Sequence, residues 1–160
     1  MALTREQILL MKAGVTLDRL VEEHVFGWVA WKEQRGEYLV VTFQKPGDPE
    51  SYKRTQNWKS AMDRYSTLPF SEIDIMKHAV YGDKDFSTDV SAAWEVEQLA
   101  IEKFGVSYAY ALISVVSGTY IKDANEIHDF VTRYSGNLLA LIHATPVQRC
   151  KAALLAVLNL

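Results

Sequence analysis

The eleven residues VSYAYALISVV at 106–116 carry no charge. Read as a strand, they put Tyr108, Tyr110 and Leu112 on one face and Ala109, Ala111 and Ile113 on the other. Neither face is fitted to water, so such a strand needs a layer over each side. This requirement selects an α+β class in which helices cover a sheet: a helix–sheet–helix sandwich with a mainly antiparallel sheet.

The flanking segments supply those layers. TREQILLMKAGVTLDRLVEEHVFGW opens the chain as a helix, with Thr4 and Gln7 forming a capping box. Leu17, Leu20, Val21, His24 and Val25 follow helical spacing, and Gly27 ends the run as the residue after the cap. WVAWKEQRGEYLVVTF reads as a hairpin, with Arg35 and Gly36 at the turn and strand formers from Glu37 to Phe43. Residues 44–84 form an excursion. It starts with the Pro- and Gly-containing loop QKPGDPESY. A short helix with Trp58, Met62 and Tyr65 on one side follows, then a Pro break and near-helical spacing of Ile73, Met76 and Val80.

A further helix starts at DFSTDVSAAWEVEQL, runs to about Lys103 and stops at Gly105. After the uncharged run, DANEIHDFVTRYSGN has two readings. Ile127, Phe130, Val131 and Tyr134 match a helix, with Asp123 and Glu126 as a capping box; HDFVTRY and LLALIHA around SGN match a hairpin. LLALIHA itself reads as a strand. TPVQRCKAALLAVL is the closing helix, with Thr145 as cap and Pro146 at its first position.

A chain of 160 residues fits one domain, here residues 1–160 with the excursion at about 44–84 inserted. The net charge of −3 argues against a general nucleic-acid binder or an anionic-membrane binder, which would show a basic excess. One cysteine allows no intrachain disulfide and suits a reducing cytoplasm. The first residues, with Glu6 and Lys12 interrupting the apolar stretch, do not read as a signal peptide. No apolar run reads as long enough to span a bilayer, so the expected location is cytoplasmic.

Ser87, Thr88 and Asp89 stand together before an apolar periodic run. Their side-chain oxygens suit a helix start, where the first backbone N–H groups need acceptors. A phosphate site there is disfavoured by the charge of Asp89. Asp83, Asp85 and Asp89 faintly resemble a calcium loop, but the sixth-position glycine is missing and Trp94 stands where the bidentate Glu belongs.

Three stretches in order, MKAGVTLDRLVEEHVFGW (11–28), FSTDVSAAWEV (86–96) and RCKAALLAVL (149–158), resemble the phage ABA sandwich domain family. The excursion at 44–84 is longer than that family's usual loop, and residues 117–137 do not align readily. The resemblance implies a helix–sheet–helix sandwich carried mainly by bacteriophages and prophages. It implies Leu17, Trp94 and Leu154 as core and Ser87 and Thr88 as caps. It brings no catalytic residue and no cofactor. By analogy with small phage proteins, it raises capture of a nucleotide-type host immune signal, such as a cyclic dinucleotide or an NAD-derived product.

The residues with chemical potential are few. His24, His78, His128 and His143 include no pair at metal-binding spacing. His143 begins an H-x-T pattern, whereas two-histidine phosphoesterases use two such motifs, so a nucleotide phosphodiesterase is the weakest reading. Cys150 lies among apolar residues and reads as an inert buried thiol. The chain therefore reads as a non-enzyme without metal or cofactor.

The binding candidate is the excursion. Residues 51–65 hold four basic residues and one acid, interleaved with three aromatics. Aromatics stack on bases and cations pair with phosphates. The expected ligand site is Tyr52, Lys53, Arg54, Trp58, Lys59, Arg64 and Tyr65, with His78 and Tyr81 near the end of the excursion. The function expected is capture of a nucleotide ligand without turnover, in a homo-oligomer whose pocket lies between subunits. The alternative is a phage accessory protein-interaction module with no ligand, marked by an exposed apolar patch.

Overall fold

A computed structural model describes residues 3–35, 38–45, 53–54, 85–121, 123–133 and 135–160. The chain divides into two compact units, one of residues 1–26 with 85–160 and one of residues 27–84.

In the first unit α1 (Arg5–Leu10) starts at Thr4, whose side chain accepts from the Gln7 N–H while Gln7 accepts from the Thr4 N–H. The expected capping box is present. The helix does not continue to Gly27 unbroken. It ends at Met11, and α2 (Val15–Leu20) begins after Gly14, which sits at φ 128°, a conformation open to glycine and strained for other residues. The chain then widens into one π-helical turn, Val21–Val25, and Gly27 follows at φ 74° as expected.

The long helix α3 (Val90–Ser117) contains both the expected helix and the run expected to be a strand. Gly105, at φ 37° and ψ −103°, bends it where the sequence marks a stop. Next come α4 (Ala124–Arg133), α5 (Ser135–Ile142) and α6 (Pro146–Leu158). Thr145 caps α6 by accepting from the Gln148 N–H, and Pro146 occupies its first turn.

The core forms where α3 runs against α6 and the π turn and α2 close one side. Ala92, Ala93, Val96 and Ala100 of α3 and Cys150, Ala152, Ala153 and Leu154 of α6 are buried. Small residues on both helices let their axes approach, and the larger Leu17, Val21, Val25 and Phe86 fill the end. Phe86 stacks on Phe26 at 5.2 Å between ring centres.

The helix–sheet–helix sandwich is therefore corrected. The first unit has no strand among its described residues, and both segments expected as its strands are helical. An uncharged run of eleven residues satisfies a covered strand and a buried helix equally, because periodicity does not separate them. Here Tyr108, Ala111, Ile113 and Ser114 are buried, and the row 108, 111, 114 follows helical spacing rather than the alternation of a strand. LLALIHA likewise consists mainly of Leu and Ala, good helix formers, and lies largely within α5. Because the bend at Gly105 does not end the helix, α3 is long and apolar enough by length and composition to cross a membrane; soluble core helices meet the same test.

In the second unit β1 (Val29–Arg35) and β2 (Tyr38–Gln44) pair antiparallel, from Val29 opposite Gln44 to Arg35 opposite Tyr38. The hairpin expected from the sequence is thus formed. The short β3 (Lys53–Arg54) pairs antiparallel with β2, Arg54 opposite Thr42 and Lys53 opposite Phe43. Lys45 Nζ lies 5.0 Å from the centre of the Trp28 ring.

Candidate functional site

Of the nine residues expected to bind a ligand, Lys53 and Arg54 lie on β3, at the edge of the sheet order β1-β2-β3. Tyr52, Trp58, Lys59, Arg64, Tyr65, His78 and Tyr81 lie outside the described residues.

In the helical unit several polar groups serve the architecture. Asp89, the last of the trio at 87–89, is the cap of α3, accepting from the Ala92 N–H at 2.9 Å. Ser87 and Thr88, expected as caps, do other work. The Ser87 hydroxyl accepts from the Gly14 N–H at 2.8 Å, and the Ser87 N–H donates to Asp18 Oδ1 at 2.7 Å. Thr88 turns back to the Asp85 carbonyl at 3.4 Å. The Gly14 N–H thus faces the start of α3, and Ser87 ties α2 to it. The Cys150 thiol donates to the Phe86 carbonyl at 3.3 Å. Burial, then the charge of Asp18, pushes this thiol well above its ordinary range, which makes it a poor nucleophile.

A second network crosses from α3 to α6. Arg149 pairs with Glu97, donates through Nε to the Ala144 carbonyl at 3.0 Å and through Nη2 to the Ile142 carbonyl at 3.0 Å. Glu97 also accepts from the Tyr108 hydroxyl at 3.0 Å. Burial, then the Glu97 charge, pushes the Tyr108 phenol far above its usual range, so it remains a donor. Arg149 lies in the first turn of α6, where the helix dipole disfavours a cation; the carboxylate and two carbonyls offset this. His128 and His143 are exposed, and Thr145 of the H-x-T pattern is committed to capping α6.

Two surface features remain. One is a cleft of about 210 Å³ between the start of α1, the second half of α3 and the end of α6. Arg5, Ser107, Tyr110, Ser114, Tyr120 and Asn159 supply its polar lining, with Ile121 and Leu155 among its apolar walls. The Arg5 guanidinium lies 4.1 Å from the centre of the Tyr120 ring and donates to the Leu160 main-chain oxygen at 2.9 Å. No local stretch of sequence marks this cleft, because its residues are spread from position 5 to 160 and match no motif.

The other feature is apolar. Val90, Trp94 and Ile101 of α3 are 55%, 58% and 47% exposed. At about 100° per residue they fall within about 40° of one another around the helix. Trp94, expected as core, is therefore on the surface: α3 buries Ala92, Ala93 and Val96 instead. Leu138, Leu139 and Ile142 of α5 are also exposed.

No protein-family model, curated protein or solved structure matches this chain.

Proposed function

We propose that this chain is a binding protein that captures a nucleotide-type signal, a cyclic dinucleotide or an NAD-derived product, without turning it over. The reading includes a phage product that counters host antiviral defence from the bacterial cytoplasm as a homo-oligomer. The observation that carries it is the basic and aromatic mixture at 51–65 in a chain of net charge −3. The cleft of about 210 Å³ is smaller than the roughly 300–1,000 Å³ of drug-sized ligand sites. On this proposal the dinucleotide is held by the basic and aromatic residues at 51–65.

The test is calorimetric titration of a cyclic dinucleotide panel and NAD-derived cyclic nucleotides into the protein and its Arg54→Ala/Trp58→Ala/Lys59→Ala variant. Loss of about 3 kcal/mol or more of binding in a variant with an unchanged circular dichroism spectrum is the expected result, from one stacked base and two phosphate contacts. Unchanged affinity would refute the assignment.

A second reading, an interaction module without a ligand, is favoured by the exposed stripe of Val90, Trp94 and Ile101 and by Leu138, Leu139 and Ile142. It predicts silence across the nucleotide panel.

A further inference from the structure

We infer that α5 and the neighbouring stripe of α3 form the contact face of a two-fold dimer of this chain. This gives the homo-oligomer of the proposed function its interface and uses no residue of the nucleotide site.

α5 has no polar face in its second half. Leu138 to Ile142 are five consecutive apolar residues, and at about 100° per residue they encircle the helix. A helix that is apolar all round is normally buried. Here Leu138, Leu139 and Ile142 are 52%, 57% and 60% exposed. No described side chain of α5 is buried, although α3 and α4 both touch the helix. The end of α5 adjoins the exposed stripe of α3. Arg149 donates to the Ile142 carbonyl at 3.0 Å and also holds Glu97, which lies about one turn from both Trp94 and Ile101.

Charge and area select a second copy as the occupant. Ser135–Ile142 carries no charged residue, so two copies meet there without opposing like charges, and a charged partner finds no counterpart. In a two-fold contact each copy presents the same patch. Val90, Trp94, Ile101, Leu138, Leu139 and Ile142 are each about half exposed. Together they show on the order of 500 Å² of apolar surface, at the upper end for the largest such patch on a monomer. With a polar rim this reaches the roughly 800 Å² that each partner gives to a standard interface. A lipid surface fits less well. Helices that lie on membranes are rich in Lys and Arg on the polar face, whereas α4, packed beside α5, holds two acids, Glu126 and Asp129, against one Arg.

Sedimentation velocity of the full chain from about 1 to 200 µM should show monomer giving way to dimer. Because the contact is apolar, raising NaCl from about 0.05 to 0.5 M should leave it equal or tighter. Leu138→Glu/Leu139→Glu should weaken dimerisation at least about hundredfold and Trp94→Ala about tenfold. Both should leave the circular dichroism unchanged, since the three side chains are exposed. Leu138→Ser/Leu139→Ser, which adds no charge, is the second variant should the acidic pair disturb the fold. Leu10→Glu, at an 81% exposed apolar residue of α1, should leave the dimer intact. The inference is overturned by a monomer at every concentration, by a dimer that survives both Leu138 and Leu139 double variants, by a dimer that Leu10→Glu abolishes equally, by one that salt dissolves, or by flotation of the monomer with phosphatidylcholine–phosphatidylglycerol vesicles. A dimer that binds no nucleotide refutes only the capture reading, and a monomer that binds one refutes only this inference.

Discussion

Replacing Arg149 with Met tests how the helical unit is held together. Arg149 and Glu97 side chains are 9% and 15% exposed, so their pairing is poorly screened by water. Removing the guanidinium leaves Glu97 with the Tyr108 hydroxyl and strips donors from the carbonyls of Ala144 and Ile142. Breaking a buried pair from one side costs about 3–5 kcal/mol. With a urea slope of about 2 kcal/mol/M, a loss of 4 kcal/mol moves the unfolding midpoint down by about 2 M. Removing both charges behaves differently. Arg149→Met with Glu97→Leu leaves no buried ion and should recover about 1–4 kcal/mol relative to the single variant. Urea unfolding followed by far-UV circular dichroism measures all corners of the cycle. A cost below about 1 kcal/mol for Arg149→Met, or a double variant as unstable as the sum of the singles, would refute the role given to this network.

Three further outcomes follow from the same structure. Tyr108 and Cys150 keep their protons when folded but ionise near pH 10 and 8.5 when unfolded, so the unfolded state binds fewer protons in alkali. Stability should thus fall as pH rises from about 8.5, by up to about 1.4 kcal/mol per pH unit for each group; Tyr108→Phe and Cys150→Ala, followed by urea unfolding, should each flatten that decline. Asp89→Ala removes the cap of α3 and should cost about 1 kcal/mol, whereas Ser87→Ala strands the Gly14 N–H and should cost about 1–3 kcal/mol, both read from denaturation midpoints. Gly105→Ala meets no steric neighbour but places a Cβ at φ 37°, so it should destabilise by about 1–2 kcal/mol in thermal unfolding despite the higher helix propensity of Ala.

The parts of the fold legible in the sequence were those written in local chemistry. Thr4 with Gln7, Thr145 with Pro146, and the trio ending in Asp89 mark helix starts because a side chain must reach a backbone N–H a few residues away. The hairpin at 29–44 is similarly local, whereas the helix stop expected at Gly105 is only a bend within α3. The architecture was not legible in 106–117 or 138–144, because uncharged residues say that a segment is covered and not whether it is coiled or extended. Trp94 misleads for a related reason. A large aromatic reads as core, but the α3–α6 interface is built from alanines that leave it outside. The break before Gly14 depends on Ser87, 73 residues away, and the Arg5–Tyr120 cleft on residues still farther apart. No window of sequence contains either relation.

Ligand capture is tested most directly by incubating the purified full chain with cyclic dinucleotides and NAD-derived cyclic nucleotides, removing unbound compound, heat-denaturing and weighing what is released. The account predicts intact ligand of unchanged mass. A product of altered mass would contradict capture without turnover, and an empty release across the panel would contradict nucleotide capture and leave the exposed apolar stripe of α3 as the functional surface.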